Sequence, residues 1–241
     1  MLKTVILAAG KGTRMKSDLP KVLHEINGKA LVEYVIDAAK EAGSDDICII
    51  VGHRAELVKE RLGDSYTYAE QKEQLGTGHA VKCAKDFIGD SGDVLILCGD
   101  TPLIDGETLK KLYNEHILNN HTATLLSTIV DDPTGYGRII RDSNGSFVKN
   151  VEHKDASEDE LKSKEINGGM YLFDAAALSS ALDNLSNDNA QGEYYLPDTL
   201  EIIKNAGGKV EAYVAEDPTV ILGVNDKEQL NTAADILEGR S

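Results

Sequence analysis

Leu7-Ala8-Ala9-Gly10-Lys11-Gly12-Thr13-Arg14-Met15, followed by Leu19-Pro20-Lys21, is the stretch on which the reading of this chain turns. The apolar run from Thr4 to Ala8 that leads into it reads as a buried strand. A buried strand ending in small residues and glycines brings backbone N–H groups close to an anion. Gly10 and Gly12 have no Cβ, so positive φ and close approach to a ligand are easily reached there. Lys11, Arg14 and Lys21 set three positive charges beside that backbone. Arg offers a bidentate fork for phosphate and Lys a point charge. Pro20 fixes its own φ and biases Leu19 to extended geometry, so Lys21 is presented from a stiff segment. The stretch reads as a nucleotide triphosphate pocket. It is not a Walker loop, because no Gly-Lys-Ser/Thr closes it. It is not a dinucleotide fingerprint, because Met15 stands where the third glycine belongs. On the glycines alone, an ordinary strand-to-loop turn with solvated lysines is an equal reading.

The rest of the chain narrows the choice. Its 241 residues suit one large α/β domain with a sizeable core. Lys plus Arg number 25 against 41 Asp plus Glu, a formal net charge of −16. Such a chain repels nucleic acid and anionic membrane, so neither is expected as a partner. The acidic balance also makes the basic cluster at residues 11–21 more informative, and it suggests a divalent cation that offsets charge at the site. Cys48, Cys83 and Cys98 form no CxxC pair and lie in or beside apolar runs, which predicts reduced thiols in a cytoplasmic protein. No stretch approaches a transmembrane span, and the N-terminal apolar run is too short for a signal peptide.

Strand-like and helix-like runs alternate. Strands are predicted at Val5–Ala8, Ile47–Val51, Thr67–Ala69, Val94–Cys98 and Ala123–Val130. Helices are predicted at Leu31–Ala42, Ala55–Leu62, from Thr77 as cap to about Lys85, and at Glu107–Ile117. This βα rhythm predicts a mostly parallel, doubly wound α/β sheet of Rossmann-like kind. After residue 130 the rhythm changes. Arg138–Arg141 and Phe147–Glu152, joined at Ser143-Asn144-Gly145, read as a hairpin. Ala156–Lys164 reads as an exposed loop or short helix, and Ile166–Phe173 as a strand interrupted by Gly168-Gly169. Helices follow at Ala175–Leu182, Pro197–Asn205 and Lys227–Leu237, with strands at Val210–Ala215 and Val220–Leu222. Residues 1–238 are expected to form one domain: a nucleotide part over 1–130, a smaller β-rich lobe over 131–225 (the sugar-binding part, by the resemblance given below), and a C-terminal helix over 226–238.

Three further stations carry chemistry. Gln71-Lys72-Glu73-Gln74-Leu75-Gly76-Thr77-Gly78-His79 follows the third strand, and its glycines run into a helix, so backbone N–H groups could face a ligand. Gln71 has both an amide and a carbonyl, which suits the edge of a pyrimidine. A polar loop with Thr77 as cap is the rival reading. Leu97-Cys98-Gly99-Asp100-Thr101-Pro102-Leu103 places a carboxylate at the carboxyl end of a buried strand, where open α/β sheets bind ligands. Asp100 is then a ligand for Mg²⁺, or a cap for the next helix. Asn225, in Gly223-Val224-Asn225-Asp226, either completes that metal site or caps the final helix.

In full, the Leu7–Met15 stretch with Leu19-Pro20-Lys21 resembles the signature of the sugar-1-phosphate nucleotidyltransferases. The resemblance implies nucleotide contacts from Leu7, Ala8, Ala9, Gly10 and Gly12, catalytic roles for Arg14 and Lys21 on the phosphates, and uracil contacts from Gln71, Gly76 and Thr77. It implies Mg²⁺ on Asp100 and Asn225. Thr134–Ile139, Val151–Ala156, Glu165–Gly169 and Asn189–Tyr195 resemble the sugar pocket of one branch, the uridylyltransferases acting on N-acetylglucosamine-1-phosphate. By that likeness Gly137, Glu152 and Asn167 contact the sugar, and Glu193 with Tyr195 lines the N-acetyl pocket. The implied reaction joins UTP and N-acetylglucosamine-1-phosphate into UDP-N-acetylglucosamine and pyrophosphate. Rival readings are a uridylyl-, thymidylyl- or cytidylyltransferase with another sugar phosphate, such as glucose-1-phosphate, and a non-catalytic nucleotide-sugar sensor.

The sequence departs from the pattern at two points. Asn167 is followed by Gly-Gly where a threonine is expected, and Cys98 stands where an aromatic is familiar. Members of this branch usually continue into a left-handed β-helix that acetylates glucosamine-1-phosphate and implies a trimer. No hexapeptide repeat occurs here, so acetyl transfer is not expected of this chain.

Overall fold

A computed structural model describes residues 1–240. The elements follow in order: β1 (Leu2–Ala8), β2 (Glu25–Ile26), β3 (Lys29–Ala30), α1 (Leu31–Glu41), β4 (Asp46–Val51), α2 (Ala55–Leu62), β5 (Thr67–Glu70), α3 (Thr77–Cys83), α4 (Lys85–Ile88), β6 (Asp93–Cys98) and α5 (Gly106–Leu118). The second half comprises β7 (Ala123–Ile129), β8 (Arg138–Arg141), β9 (Phe147–Val151), β10 (Glu165–Asp174), α6 (Ala175–Asp183), α7 (Asp198–Asn205), β11 (Val210–Val214) and α8 (Lys227–Gly239).

One nine-stranded sheet runs β11-β7-β10-β6-β1-β4-β5, with β8 pairing β10 and β9 pairing β8 beyond that path. β1 pairs in parallel with both β4 and β6, β4 with β5, and β11 with β7. β10 lies antiparallel between β6 and β7. The fully apolar runs of β1, β4 and β6 follow from burial on both faces. Alternate residues of each strand enter opposite layers. Ile6, Ile49, Leu95 and Leu97 pack with α1 and α5 residues such as Val35 and Leu109. Val5, Ile50, Val94 and Ile96 pack with α3, α6 and α7 residues such as Val81, Leu178 and Leu200. Among the described residues no helix is long and apolar enough to cross a membrane.

β1 has β4 on one side and β6 on the other, so the chain reverses direction across the sheet between β1 and β6. Ligands of doubly wound sheets bind at the carboxyl ends of strands at such a point. Here those ends are Ala8-Ala9-Gly10 and Cys98-Gly99-Asp100.

Local structure differs from the sequence reading in four places. Val220–Leu222 is not a strand: Pro218–Ile221 forms a 3-10 turn. Asp217 accepts from the Thr219 N–H and hydroxyl, and that local capping wins over β propensity. Thr77 does not cap its helix. Gly76 stands at the cap, and the Thr77 hydroxyl accepts the Leu196 N–H at 3.0 Å instead. The helix expected to end near Lys85 breaks at Ala84 and resumes as α4. The β2–β3 hairpin went unforeseen, although Asn27 (φ 51°) and Gly28 (φ 78°) carry a type I′ turn signal.

Candidate active site

The first glycine of the opening stretch faces open space: nothing lies within 4 Å of where a Gly10 Cβ would stand. The second is fixed by packing. Gly12 adopts φ 59°, and a Cβ there would lie 2.6 Å from the Lys21 Cβ. The loop therefore needs glycine at 12 so that the Pro20-Lys21 segment can cross it. Lys21 opens a short 3-10 turn anchored by buried Val22 and Leu23.

The Lys21 ammonium donates to Asp100 Oδ2 and, at 2.9 Å, to Asn225 Oδ1. Backbone holds the two acceptors together, since the Val224 N–H donates to the Asp100 carbonyl at 2.8 Å. Neither residue is a helix cap. Asp105 caps α5 and Asp226 caps α8, leaving the Asp100 and Asn225 side chains to face each other across the ammonium. Gly99 lets the end of β6 close onto β1 just before Asp100, because a Cβ there would lie 2.9 Å from the Leu7 carbonyl oxygen.

A cavity of about 330 Å³ opens beside this group, lined by Leu7, Ala9, Gly10, Lys21, Gln71, Gly76, Thr77, Asp100 and Glu193, with Val22, Gln74, Ala80 and Cys98. Gly76, at φ 108°, brings the 193–195 segment onto this wall, since a Cβ there would meet the Tyr194 carbonyl oxygen at 2.5 Å. Gln71 is buried. Its Nε2 donates to the Gly76 carbonyl at 3.0 Å and lies 3.2 Å from His79 Nδ1, so its carbonyl oxygen is the end left for a ligand. Gln74 was passed over in the sequence reading. It closes the cavity by donating to the Ala9 carbonyl at 2.7 Å, and only its place within the quoted stretch hinted at that.

The second cluster sits one strand further along. Asn167 Nδ2 donates to Tyr171 Oη at 2.8 Å and to Asn150 Oδ1 at 3.2 Å, while its Oδ1 accepts the Gly169 N–H at 2.8 Å. Gly137 abuts Asn150 and Glu152, whose Oδ1 and Oε1 lie 2.9 and 3.1 Å from where its Cβ would be. Gly168 and Gly169 explain the departure after Asn167. The register of β10 on β7 shifts between Asn167 and Tyr171. A Cβ on Gly168 would lie 2.7 Å from Ile221 and 2.8 Å from the Leu126 carbonyl oxygen, and Gly169 has φ 72°. The bulge turns Asn167 toward Asn150 and Glu152. Cys98 joins the clusters: its thiol lines the cavity and donates to the Gly169 carbonyl at 3.3 Å. Burial pushes that thiol up to about 12, so it stays protonated.

Not every expected residue reaches these groups. Arg14 is exposed on the 3-10 turn Thr13–Met15 and does not line the cavity. Ala8 is buried beneath it in the core. Tyr195 is buried, with its hydroxyl accepting from Gln191 Nε2 at 2.7 Å. Burial raises the Glu152 carboxyl above its usual range. Burial first, then the neighbouring Glu152, Glu201 and Asp155 charges, lift Asp198 to about 6.

Two oxygen donors, one anionic, converge on a single positively charged atom, so Asp100 and Asn225 fit a hard cation. Among the described residues no group of three or more Asp, Glu, His or Cys could hold a metal ion. A cation here would therefore take its remaining ligands from beyond these carboxylate, imidazole and thiol side chains.

This geometry, a glycine loop at the strand reversal with a lysine, a carboxylate and an amide at its lip, is that of a nucleotide-handling α/β protein. Residues 3–218 match the family model described as "Nucleotidyl transferase", and the chain belongs to that family. It is 56% identical over 239 residues to the "Bifunctional protein GlmU" of Caldanaerobacter subterraneus subsp. tengcongensis, a match covering 99% of this chain and 52% of that protein. Against the "Bifunctional protein GlmU" of Bacillus subtilis it is 52% identical over 237 residues, covering 98% and 52%. The chain thus spans about half the length of these curated relatives. A solved UDP-glucose pyrophosphorylase complexed with UDP-glucose superposes with a TM-score of 0.82 over 100% of both chains at 20% identity, a likeness in fold.

Proposed function

We propose that the chain transfers a uridylyl group from UTP to N-acetylglucosamine-1-phosphate, releasing pyrophosphate and giving UDP-N-acetylglucosamine. The observation that carries this reading is the meeting of Lys21, Asp100 and Asn225 beside the glycine-loop cavity. The likeness to the GlmU proteins over nearly the whole of this chain supports the branch.

The nucleotide lies along Leu7–Gly12, with its base toward Gln71, Gly76 and Thr77. The sugar lies against Gly137, Glu152 and Asn167, with Glu193 and Tyr195 on the acetamide side. An oxygen of the sugar phosphate attacks the α-phosphorus in line. A new P–O bond forms there as the bond from the α-phosphorus to the bridging oxygen breaks, and pyrophosphate leaves. The phosphate monoester has a second pKa of about 6 and is already a nucleophile at neutral pH. No general base is required, and the chain's contribution is positioning and charge neutralisation. Lys21 balances the charge that gathers on the departing pyrophosphate, and Arg14 adds to this only if its exposed turn swings in over the cavity. Mg²⁺ held by Asp100 and Asn225 would, when bound, supply positive charge across the phosphates of both substrates.

Pyrophosphate release from UTP tests the reading. Release should need both N-acetylglucosamine-1-phosphate and Mg²⁺ and should stop in EDTA. Equal release with glucose-1-phosphate would move the assignment to another sugar, and no release from folded protein would overturn transfer.

A further inference from the structure

We infer that Asn150 is a positioning residue of the sugar-phosphate pocket, its carboxamide set between the Asn167 amide and the Glu152 carboxylate so that both present acceptor oxygens to a bound hexose. This rests on Glu152 and Asn167 facing the sugar, as proposed above. Asn150 lies in β9 opposite Ile139 of β8, and Glu152, two residues on, falls on the same side of the extended chain.

Three contacts orient the group. Asn150 Oδ1 accepts from Asn167 Nδ2 at 3.2 Å, which turns the Asn150 amide end away from Asn167. That end lies beside the Glu152 carboxylate at Gly137 and opposes the upward push of burial on it. Both side chains close on the Gly137 backbone, where a methyl would lie 2.9 Å from Asn150 Oδ1 and 3.1 Å from Glu152 Oε1. A carboxamide can accept on one side and donate on the other in this way, which neither leucine nor an ionised aspartate can do.

The hydrogen-bond inventory then selects the ligand. Both Asn167 N–H groups are used, one on Asn150 and one on Tyr171 Oη. Its Oδ1 takes the Gly169 N–H and keeps one lone pair. Glu152 offers carboxylate oxygens. Asn167 and Glu152 therefore present acceptors and no free side-chain donor, and they select a sugar that turns hydroxyl donors toward them. Leucine at 150 would free one Asn167 N–H and let both neighbours rotate. Aspartate would still accept from Asn167, but it would set a second carboxylate against Glu152, which already feels Asp155 and in turn bears on Tyr171 and Asp198.

Initial rates with Asn150→Leu and Asn150→Asp, each variable substrate in turn, test this, with thermal unfolding run alongside. For Asn150→Leu the KM for N-acetylglucosamine-1-phosphate should rise about tenfold, with the KM for UTP and the Tm near wild type. For Asn150→Asp, the rising limb of kcat/KM for the sugar phosphate should move to higher pH than in wild type, because Glu152 must lose its proton against a new neighbour. An unchanged sugar-phosphate KM in Asn150→Leu overturns the proposal, as does a parallel rise of both KM values with a falling Tm. Should the leucine variant not fold, the near-isosteric aspartate variant decides by its pH profile alone. Wild-type protein that releases no pyrophosphate overturns the reading beneath the proposal; active wild type beside an unaffected variant overturns only Asn150.

Discussion

Lys21 shows how far a single residue could be read in advance. Its type and its place after Pro20 announced a phosphate ligand. Its partners Asp100 and Asn225 lie 79 and 204 positions away in the chain, a separation no local pattern reports. The ammonium sits where a cation held by those two oxygens would sit, so the two compete. Lys21→Met should lower kcat by about a hundredfold, given the weight of preorganised charge in such sites. In the absence of nucleotide the same variant should bind Mn²⁺ several-fold more tightly, read by electron paramagnetic resonance. A Tm that fell in step with activity would instead mark Lys21 as a structural lysine. Asp198 carries a pH signature. Its folded pKa of about 6 exceeds its ordinary 3.8, so the folded state holds this proton more tightly, and stability is lost as pH rises through that window. A carboxamide in its place would carry no charge to bury. Asp198→Asn should raise stability by about 1 kcal/mol at pH 7.5, after allowance for the lost favourable charge at the start of α7, and by nothing at pH 4. Denaturant melts at the two pH values decide it.

At the scale of elements, long periodic segments were legible and their interruptions were not. The apolar runs of β4 and β6 and the helical spacing of α1 appear close to where composition put them, because burial on both faces leaves few other arrangements. The 3-10 turn at Pro218–Ile221 escaped because Val-Ile-Leu has the composition of a strand, while the decisive Asp217 cap lies outside it. The bulge in β10 was visible as Gly168-Gly169, but its purpose was not. Glycine is required in it because the Leu126 carbonyl and Ile221 leave no room for a side chain at 168. Gly168→Ala should therefore destabilise the fold by about 1–3 kcal/mol, the range for overpacking a tight site. It should also raise the KM for the sugar phosphate more than that for UTP, since Asn167 rides on the bulge. An alanine variant with wild-type stability would show that β10 can shift to accommodate it.

Across the whole molecule, β10 joins what the sequence divides. The change of rhythm after residue 130 suggested a nucleotide part and a sugar part. The sheet nonetheless threads a late strand between β6 and β7, both early. A fragment ending at residue 130 would expose the apolar edges of both strands. Residues 1–130 alone should fail to fold cooperatively, seen as poor amide dispersion and aggregation. A sharp, reversible melt of that fragment would show the early strands to be self-sufficient. The chain by itself determined the α/β class and the glycine loop, because periodicity and motif spacing act over a few positions, while Asp100 and Asn225 stood out as metal ligands rather than helix caps only through a resemblance to a family. Tertiary structure alone decided that Lys21, Asp100 and Asn225 meet, that Arg14 stands off the cavity, and that Asn150 bonds Asn167 where Glu152 also closes on Gly137. Those outcomes depend on strand order and register, which arise from the simultaneous burial of distant segments and leave no local trace.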